Sequence, residues 1–177
     1  MDARPILETV ARVLGEAGLE AILVGNAAAA LHGAPVTTID FDFLFRPTPG
    51  NIRKLKAVAR SLDAVILRPF YPVSGLFRVV RDRDGLQLDF MAAIDGVKSF
   101  EALRAQAKVQ PIGSRTLLVA DLAAVIASKR AAGREQDKAV LGILEKTLDE
   151  TDASKPQESR EKEAKPKKAT GRAPRRK

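Results

Sequence analysis

The sequence predicts a mixed α/β fold of the α+β kind, in which helices flank a small mixed sheet and a helical pair closes the folded part. Three observations support this prediction. Helix-like and strand-like spacings of apolar residues alternate along residues 1–150. Helical patterns stand at both ends of that region. Residues 151–177 contain no Leu, Ile, Val, Phe or Met, which is typical of a disordered tail.

The first predicted elements are a helix, a buried strand and a short alanine-rich helix. Apolar residues over 6–14 fall at helical spacing, with glycines just beyond. The apolar run 21–24 predicts a buried strand. Asn26 is then expected to cap a helix over 27–32. His32, at the end of this helix, is most simply a packed or capping residue.

The remaining elements follow the same reasoning. Asp82-Arg83-Asp84-Gly85 predicts a hairpin turn, because an Asp-Gly pair accepts the backbone angles of tight hairpins. In order, we expect a strand over 38–45, a helix over 51–62, hairpin strands over 77–81 and 86–91, a helix near 100–107, a strand near 115–119, and helices over 121–132 and 135–148.

Length and charge suggest one folded domain with a basic extension. The chain has 177 residues and a net charge of +8. Residues 1–150 hold 20 basic and 18 acidic residues, whereas residues 151–177 hold 10 and 4. We therefore expect a nearly neutral domain over 1–150 and a basic tail over 151–177. The tail would attract a polyanion such as RNA, or it only solubilises the chain. It has no aromatic residue for base stacking.

Composition excludes several kinds of chemistry. The chain has no cysteine, which excludes disulfides, Cys-ligated metals and a thiol nucleophile. A single histidine leaves acid–base work to carboxylates, lysine or arginine. No apolar run approaches the roughly 20 residues that span a bilayer, and the first 14 residues lack the apolar core of a signal peptide. We therefore expect a cytoplasmic protein without a membrane partner.

Two aspartates interrupt the strand predicted over 38–45. Alternation along a strand places Ile39 and the aromatic residues of this stretch on one face, the core face, and Asp40 and Asp42 together on the other. Two like charges at neighbouring positions repel each other, and Asp is a poor strand former. One divalent cation would account for both residues, because hard oxygen ligands suit magnesium.

Asp89 repeats this pattern in the strand predicted over 86–91, where its hydrophobic neighbours face away from it. If the two strands are adjacent, Asp40, Asp42 and Asp89 converge, and three carboxylates can hold two magnesium ions for phosphoryl transfer. The alternative is three solvated carboxylates on an exposed sheet face.

Two further features favour a phosphate-binding site. Gly25 stands at a strand-to-helix turn, where free backbone N–H groups favour phosphate. Lys129 continues the apolar stripe of its helix, and Arg134 and Asp137 are expected beside it at the next helical corner. Lys129 then contacts phosphate, or Lys129 or Arg134 forms a structural salt bridge with Asp137. The residues leave these alternatives open.

These residues resemble the polymerase-beta-type nucleotidyltransferase superfamily, and in particular the bacterial minimal and AbiEii-like (abortive infection) enzymes. The resemblance covers residues 4–148, and the order of five elements makes it more specific than any one motif. The matching strings are Leu23-Val24-Gly25-Asn26, Leu31-His32-Gly33, Thr38-Ile39-Asp40-Phe41-Asp42, Leu88-Asp89-Phe90 and Asp121-Leu122 with Lys129, Gly133-Arg134 and Asp137.

The resemblance implies a role for each site residue. Asp40 and Asp42 would bind the catalytic and nucleotide-associated magnesium ions. Asp89 would help to hold the catalytic ion and act as the base toward an acceptor hydroxyl. Gly25 and the helix after it would hold the triphosphate of an NTP, Lys129 would lie near the phosphates, and Arg134 and Asp137 would support it. The implied reaction joins a nucleoside monophosphate to a hydroxyl and releases pyrophosphate.

The sequence departs from the family at two positions. Asn26 stands where relatives carry Gly or Ser, although its amide can donate to a phosphate oxygen. Val36 stands where many relatives carry Arg. Both departures bear on the choice of nucleotide and on whether the site is active.

Three functional hypotheses follow. The first is a metal-dependent nucleotidyltransferase acting on RNA such as tRNA, as the toxin of a toxin–antitoxin pair with an antitoxin partner. The second is a non-catalytic nucleic-acid-binding or regulatory protein on the same scaffold, with affinity supplied by the tail. The third is transfer onto a small molecule such as an aminoglycoside.

Overall fold

The computed structural model describes residues 3–38, 40–69 and 71–154. Its helices are α1 (Ala3–Ala17), α2 (Gly25–Leu31), α3 (Pro49–Ser61), α4 (Phe100–Arg104), α5 (Leu122–Ala132) and α6 (Glu135–Ala153). Its strands are β1 (Ala21–Val24), β2 (Phe41–Phe45), β3 (Val65–Leu67), β4 (Phe77–Arg81), β5 (Leu86–Met91), β6 (Lys108–Ile112) and β7 (Arg115–Val119). The predicted fold class is confirmed.

All described strands join one seven-stranded mixed sheet in the order β3-β4-β5-β2-β1-β7-β6. The pairs β2–β5 and β1–β7 are parallel, and the remaining neighbours are antiparallel. The parallel pair β2–β5 sets the site, because it places two strands that are far apart in the chain side by side.

Aromatic side chains hold β2 and β5 together on the core face. Phe43 stacks on Phe90 with ring centroids 5.1 Å apart, and Phe45 meets Phe90 and Phe77 edge-on at 5.8 and 5.6 Å. Phe43, Phe45 and Phe90 are fully buried. Aromatic pairs of this kind add about 0.5–1.5 kcal/mol each beyond their buried area. The predicted core face of β2 is thus confirmed, except at Ile39, which lies outside the described residues.

Strand β2 begins at Phe41 and not at Thr38, which corrects the predicted boundary. The Thr38 hydroxyl donates to the backbone oxygen of Asp40 at 2.7 Å and to Asp40 Oδ1 at 3.0 Å. This local turn holds Asp40 just ahead of the strand, since Thr side chains compete with sheet ladders for backbone groups.

Asn26 does not cap α2. The helix begins at Gly25, two residues before the predicted start at 27, and Val24 occupies the N-cap position without a side-chain hydrogen bond. Caps supplied by side chains occur instead at Thr48, Ser99 and Asp121, each of which accepts from a backbone N–H in the first turn of its helix.

The two edge strands, β3 and β6, escape prediction from sequence. Val65 and Leu67 of β3 are 58% and 47% exposed, and Val109 of β6 is 65% exposed. Neither strand therefore shows the alternation of a half-buried strand, and β6 contains Pro111, which is tolerated mainly at a sheet edge.

The predicted tail begins at residue 151, but α6 continues to Ala153. No Gly or Pro interrupts the sequence after Leu148 until Pro156, so nothing stops the helix at the predicted boundary. Residues 155–177, on which most of the tail prediction rests, lie outside the described residues. No helix in the described part of the chain is long and apolar enough to cross a membrane.

Candidate active site

Three carboxylates meet where β2 and β5 run side by side. Asp42 and Asp89 are direct partners in the parallel register, and the turn before β2 brings Asp40 to the same place. One carboxylate oxygen from each of the three lies within 4.8 Å of the others. The predicted convergence of Asp40, Asp42 and Asp89, hereafter the acidic cluster, is therefore present in the structure.

The acidic cluster lines a cavity of about 780 Å³. Its polar wall includes Asn26 and Thr38 beside the cluster, and Lys129 and Arg134 from the helical corner. Another part of the wall is apolar, formed by Leu76, Met91, Ala93, Ile94 and Leu103. The cavity thus combines charged groups of both signs with an aliphatic surface, and it has the volume of a small-molecule site.

Gly25 packs against the acidic cluster so closely that only a residue without a side chain fits there. Its φ is +66°, and a Cβ placed there would lie 2.4 Å from Asp42 Oδ2. The backbone therefore approaches the carboxylate more closely than any side chain permits, in a conformation that favours glycine. The close approach to Asp42 explains why glycine is required at position 25. Contact of Gly25 with phosphate stays a prediction.

The pKa of the Asp42 carboxyl group is strongly shifted by its surroundings. Burial, together with the negative charges of Asp40 and Asp89, raises the pKa of Asp42 from 3.8 to about 6, against the opposing effect of Lys129 and Arg134. None of the described residues donates a hydrogen bond to its carboxylate. Asp42 is thus a half-buried, unpaired acid whose charge a cation would stabilise.

Asp89 is held by Arg78, which sequence reasoning missed. Arg78 donates from Nε to Asp89 Oδ1 at 2.8 Å and from Nη2 to Oδ2 at 2.6 Å. These bonds, with the charges of the acidic cluster, raise the pKa of Arg78 despite partial burial. A signal was available, because pairing Arg81 with Leu86 across the predicted hairpin also pairs Arg78 with Asp89.

Gln87 completes this side of the cluster. Its side-chain amide lies 3.4 Å from Asp40 Oδ2 and 3.5 Å from Asp89 Oδ2. These are long contacts that soften the repulsion between the two carboxylates without neutralising it.

The helical corner forms the predicted salt bridges. Asp137 is 1% exposed and accepts from Lys129 Nζ at 3.0 Å and from Arg134 Nε at 2.6 Å. Burial opposes ionisation of Asp137, but these two hydrogen bonds outweigh it and lower its pKa. The structural interpretation of this corner is therefore correct. Because Lys129 and Arg134 also line the cavity, a phosphate contact stays open to them as a prediction.

The two remaining predicted residues, His32 and Asn26, have different surroundings. His32 ends α2, and its Nε2 donates to the backbone oxygen of Ala120 at 2.8 Å, which confirms a packed and capping residue. Asn26 lines the cavity, and its Oδ1 is buried without a hydrogen-bond partner among the described residues. An orphaned buried acceptor of this kind is rare and fits a position completed by a bound group.

The acidic cluster has the chemistry of a magnesium site. Carboxylate oxygens are the ligands this ion prefers, and burial, followed by the charges of Asp40 and Asp89, raises the pKa of Asp42, so a divalent cation would stabilise its charged form. Each carboxylate oxygen has two lone pairs, so Asp89 retains capacity for a cation beside its bonds from Arg78. The donor set therefore fits.

No protein-family model matches this sequence, and no curated protein matches it. Two solved structures of the antibiotic-resistance factor ANT(2'')-Ia share its fold. The solution structure aligns over 84% of this chain and 86% of its own, with a TM-score of 0.60 and 15% identity. The crystal structure with adenylyl-2''-tobramycin aligns over 81% of this chain and 88% of its own, with a TM-score of 0.56 and 15% identity.

This likeness confirms the resemblance at the level of fold, and the narrower AbiEii-like assignment stays a prediction. The chain shares the fold of ANT(2'')-Ia and has a candidate acidic triad at Asp40, Asp42 and Asp89.

Replacing Gly25 by Ala tests the close approach to Asp42. The new Cβ would displace the Asp42 carboxylate, so we expect Gly25→Ala to weaken Mn²⁺ binding strongly in a titration. Gly85→Ala is the matched control, because Gly85 has nearly the same φ of +68° but open space around it. Both variants should lose about 1–2 kcal/mol of stability from backbone strain. Equal Mn²⁺ affinities in the two variants would contradict the steric argument.

Replacing Asp42 by Asn tests whether the ionised Asp42 carboxylate destabilises the folded protein when no metal is bound. Because the folded-state pKa of about 6 exceeds the ordinary value of 3.8, the folded protein holds a proton that the unfolded chain releases. Metal-free stability should therefore fall as pH rises from about 4 to 6 and stay low above that range. Asp42→Asn should match the wild type near pH 4 and exceed it by about 2 kcal/mol at pH 7.5.

Denaturant unfolding in a chelator at several pH values measures this difference. Asp149→Asn, on an exposed position of α6, serves as the control and should follow the wild type throughout. Parallel pH profiles for the wild type and Asp42→Asn would refute the argument.

Proposed function

We propose that this protein is a metal-dependent nucleotidyltransferase that moves a nucleoside monophosphate from an NTP to a hydroxyl acceptor. The observation that carries the proposal is the acidic cluster, whose three carboxylates meet within 4.8 Å at the wall of the cavity. A half-buried cluster of like charges costs stability, and a cation-dependent reaction on phosphates gives it a use.

The acidic cluster would hold two magnesium ions. Asp40 and Asp42, to which no guanidinium in the described part of the chain donates a hydrogen bond, would be the main ligands, and Asp89 would contribute on the side of the acceptor. When bound, the ions would neutralise charge on the triphosphate and on the leaving pyrophosphate.

The chain's own residues would align the reactants. The acceptor oxygen attacks the α-phosphorus, the bond from this phosphorus to the leaving pyrophosphate oxygen breaks, and the hydroxyl proton passes to Asp89. Asp89 has a lone pair left on each carboxylate oxygen beside its bonds from Arg78, and the proton would bind there. The cavity holds the two substrates together, which removes much of the entropic cost of their encounter.

Residues beside the acidic cluster and at the helical corner would bind the phosphates. Gly25 permits close approach of the backbone, and Asn26 lines the same cavity with a buried Oδ1 that has no hydrogen-bond partner among the described residues. Lys129 supplies positive charge, and Asp137 fixes its direction. The Nδ2 group of Asn26 would donate to a phosphate oxygen, at the position where the family pattern has Gly or Ser, while its Oδ1 can only accept.

The cavity favours a small acceptor. Its aliphatic wall lies next to the acidic cluster and provides room for a second small molecule, and the ANT(2'')-Ia fold has been observed with adenylyl-2''-tobramycin. A hydroxyl-bearing small molecule is therefore the acceptor class we place first. An RNA or tRNA acceptor depends on the basic tail, and a toxin role with an antitoxin partner depends on the family resemblance alone.

Transfer from each of four α-labelled NTPs with Mg²⁺ tests the function and the acceptor class together. Total RNA and a panel of small polyhydroxyl compounds, including aminoglycosides, serve as acceptors in parallel. We expect label on a small compound and a loss on the order of a thousandfold in Asp42→Asn, with Asp149→Asn unchanged. Label on RNA instead would support the polymer acceptor.

The proposal fails if no label moves and Mg²⁺ has no effect on nucleotide binding. In that case the non-catalytic alternative predicts salt-dependent RNA binding that ignores Mg²⁺ and disappears when the chain is cut after Ser154. This cut leaves α6 complete, whereas a cut at residue 150 would remove its last turn.

A further inference from the structure

Arg78 lies inside the acidic cluster, although no motif in the sequence marks it. It faces Asp89 across the β4–β5 pair and reaches the wall of the cavity. Its planar guanidinium makes two short bonds to the two oxygens of one carboxylate, the strongest geometry available to an arginine. Asp89 therefore already has a positively charged partner.

Among the described residues, no arginine or lysine donates a hydrogen bond to the other two carboxylates of the cluster, although Lys129 and Arg134 act on Asp42 through space. Asp40 accepts from the Thr38 hydroxyl at 3.0 Å and from the distant Gln87 amide. Asp42 accepts no hydrogen bond from the described residues. The cluster is therefore asymmetric, with negative charge concentrated at Asp40 and Asp42 and compensated at Asp89.

A divalent cation at Asp89 would meet Arg78 there. The cation would take the remaining lone pairs of the oxygens that the guanidinium already engages, and the two positive charges, held on one carboxylate, repel each other. The side chain of Asp89 is 8% exposed and fixed in the sheet, whereas that of Arg78 is 33% exposed. Of the two partners, Arg78 has the freedom to move away, into the cavity it lines.

We propose that Arg78 is a resident counter-ion of Asp89 that competes with a divalent cation for this carboxylate. Asp40 and Asp42 then take up a cation before Asp89 does. The proposal rests on the proposed function, since it concerns the same metal site. The coupling is reciprocal. Arg78 lowers the affinity of the site for a cation by some factor, and a bound cation weakens the Arg78–Asp89 pair by the same factor.

Titration of the full chain with Mn²⁺, followed by the EPR signal of the free ion, tests this competition without nucleotide. Arg78→Gln should bind Mn²⁺ about tenfold more tightly than the wild type. Arg81→Gln is the matched control, because Arg81 lies on the same strand and makes the same two-bond contact with Asp84, outside the cluster. It should bind Mn²⁺ as the wild type does. Equal or weaker binding by Arg78→Gln overturns the proposal.

Thermal unfolding supplies a second readout. Without Mn²⁺, Arg78→Gln should unfold at a lower temperature than the wild type, because Asp89 has lost its partner. Saturating Mn²⁺ should raise its midpoint by more than that of the wild type, and equal increments would contradict competition. If Arg78→Gln does not fold, Arg78→Met carries the test, since methionine also removes the charge and keeps an unbranched side chain. Unchanged Mn²⁺ affinity in a folded Arg78→Met would overturn the proposal.

Failure of this proposal can be separated from failure of the proposed function. If the wild type binds Mn²⁺, Asp42→Asn does not, and Arg78→Gln binds like the wild type, the metal site stands and the competition is overturned. If neither the wild type nor Arg78→Gln binds Mn²⁺, both proposals are overturned.

Discussion

The parallel pairing of β2 with β5 is the constraint on which the site depends. It brings together strands separated by some 40 residues of chain, and it is fixed from behind by the stacked rings of Phe43 and Phe90. A shift of one residue would turn the phenylalanines toward the cavity and the aspartates into the core. The hydrophobic face thus fixes the register, and the register forces Asp42 against Asp89.

Electrostatic repulsion at this point is balanced by four side chains drawn from three separate places in the chain. Arg78 neutralises Asp89, Gln87 lies between two of the carboxylates, and Lys129 and Arg134 act on Asp42 from the helical corner. Asp137 in turn holds those two cations in place. The cavity is therefore not simply acidic. It offers separate regions of negative and positive charge, which suits a substrate that carries phosphates and is bound together with cations.

The members of the acidic cluster could be proposed from sequence because alternation along each predicted strand places the aspartates opposite the core face, whereas the pairing of β2 with β5 that brings them together could only be assumed. The helical corner was equally accessible, since Lys129 and Asp137 interrupt apolar stripes. Arg78 was missed because a charged residue on the outer face of a strand is ordinary until its cross-strand partner is known. The start of β2 was misjudged because a hydroxyl contact at Thr38 competes with the ladder. The edge strands β3 and β6 were missed because exposed apolar residues such as Val65 and Val109 give their sequences no clear alternation of apolar and polar residues.

Helix α6 has a consequence for anything that binds beyond it. Asp137 lies in its first turn beside the cavity, and the helix continues to Ala153. Sixteen residues at 1.5 Å each carry the chain about 24 Å along the axis. A macromolecule held by the segment after Ser154 would therefore be tethered at a distance from the carboxylates, and its benefit to the reaction would be a raised local concentration set by the length of the tether.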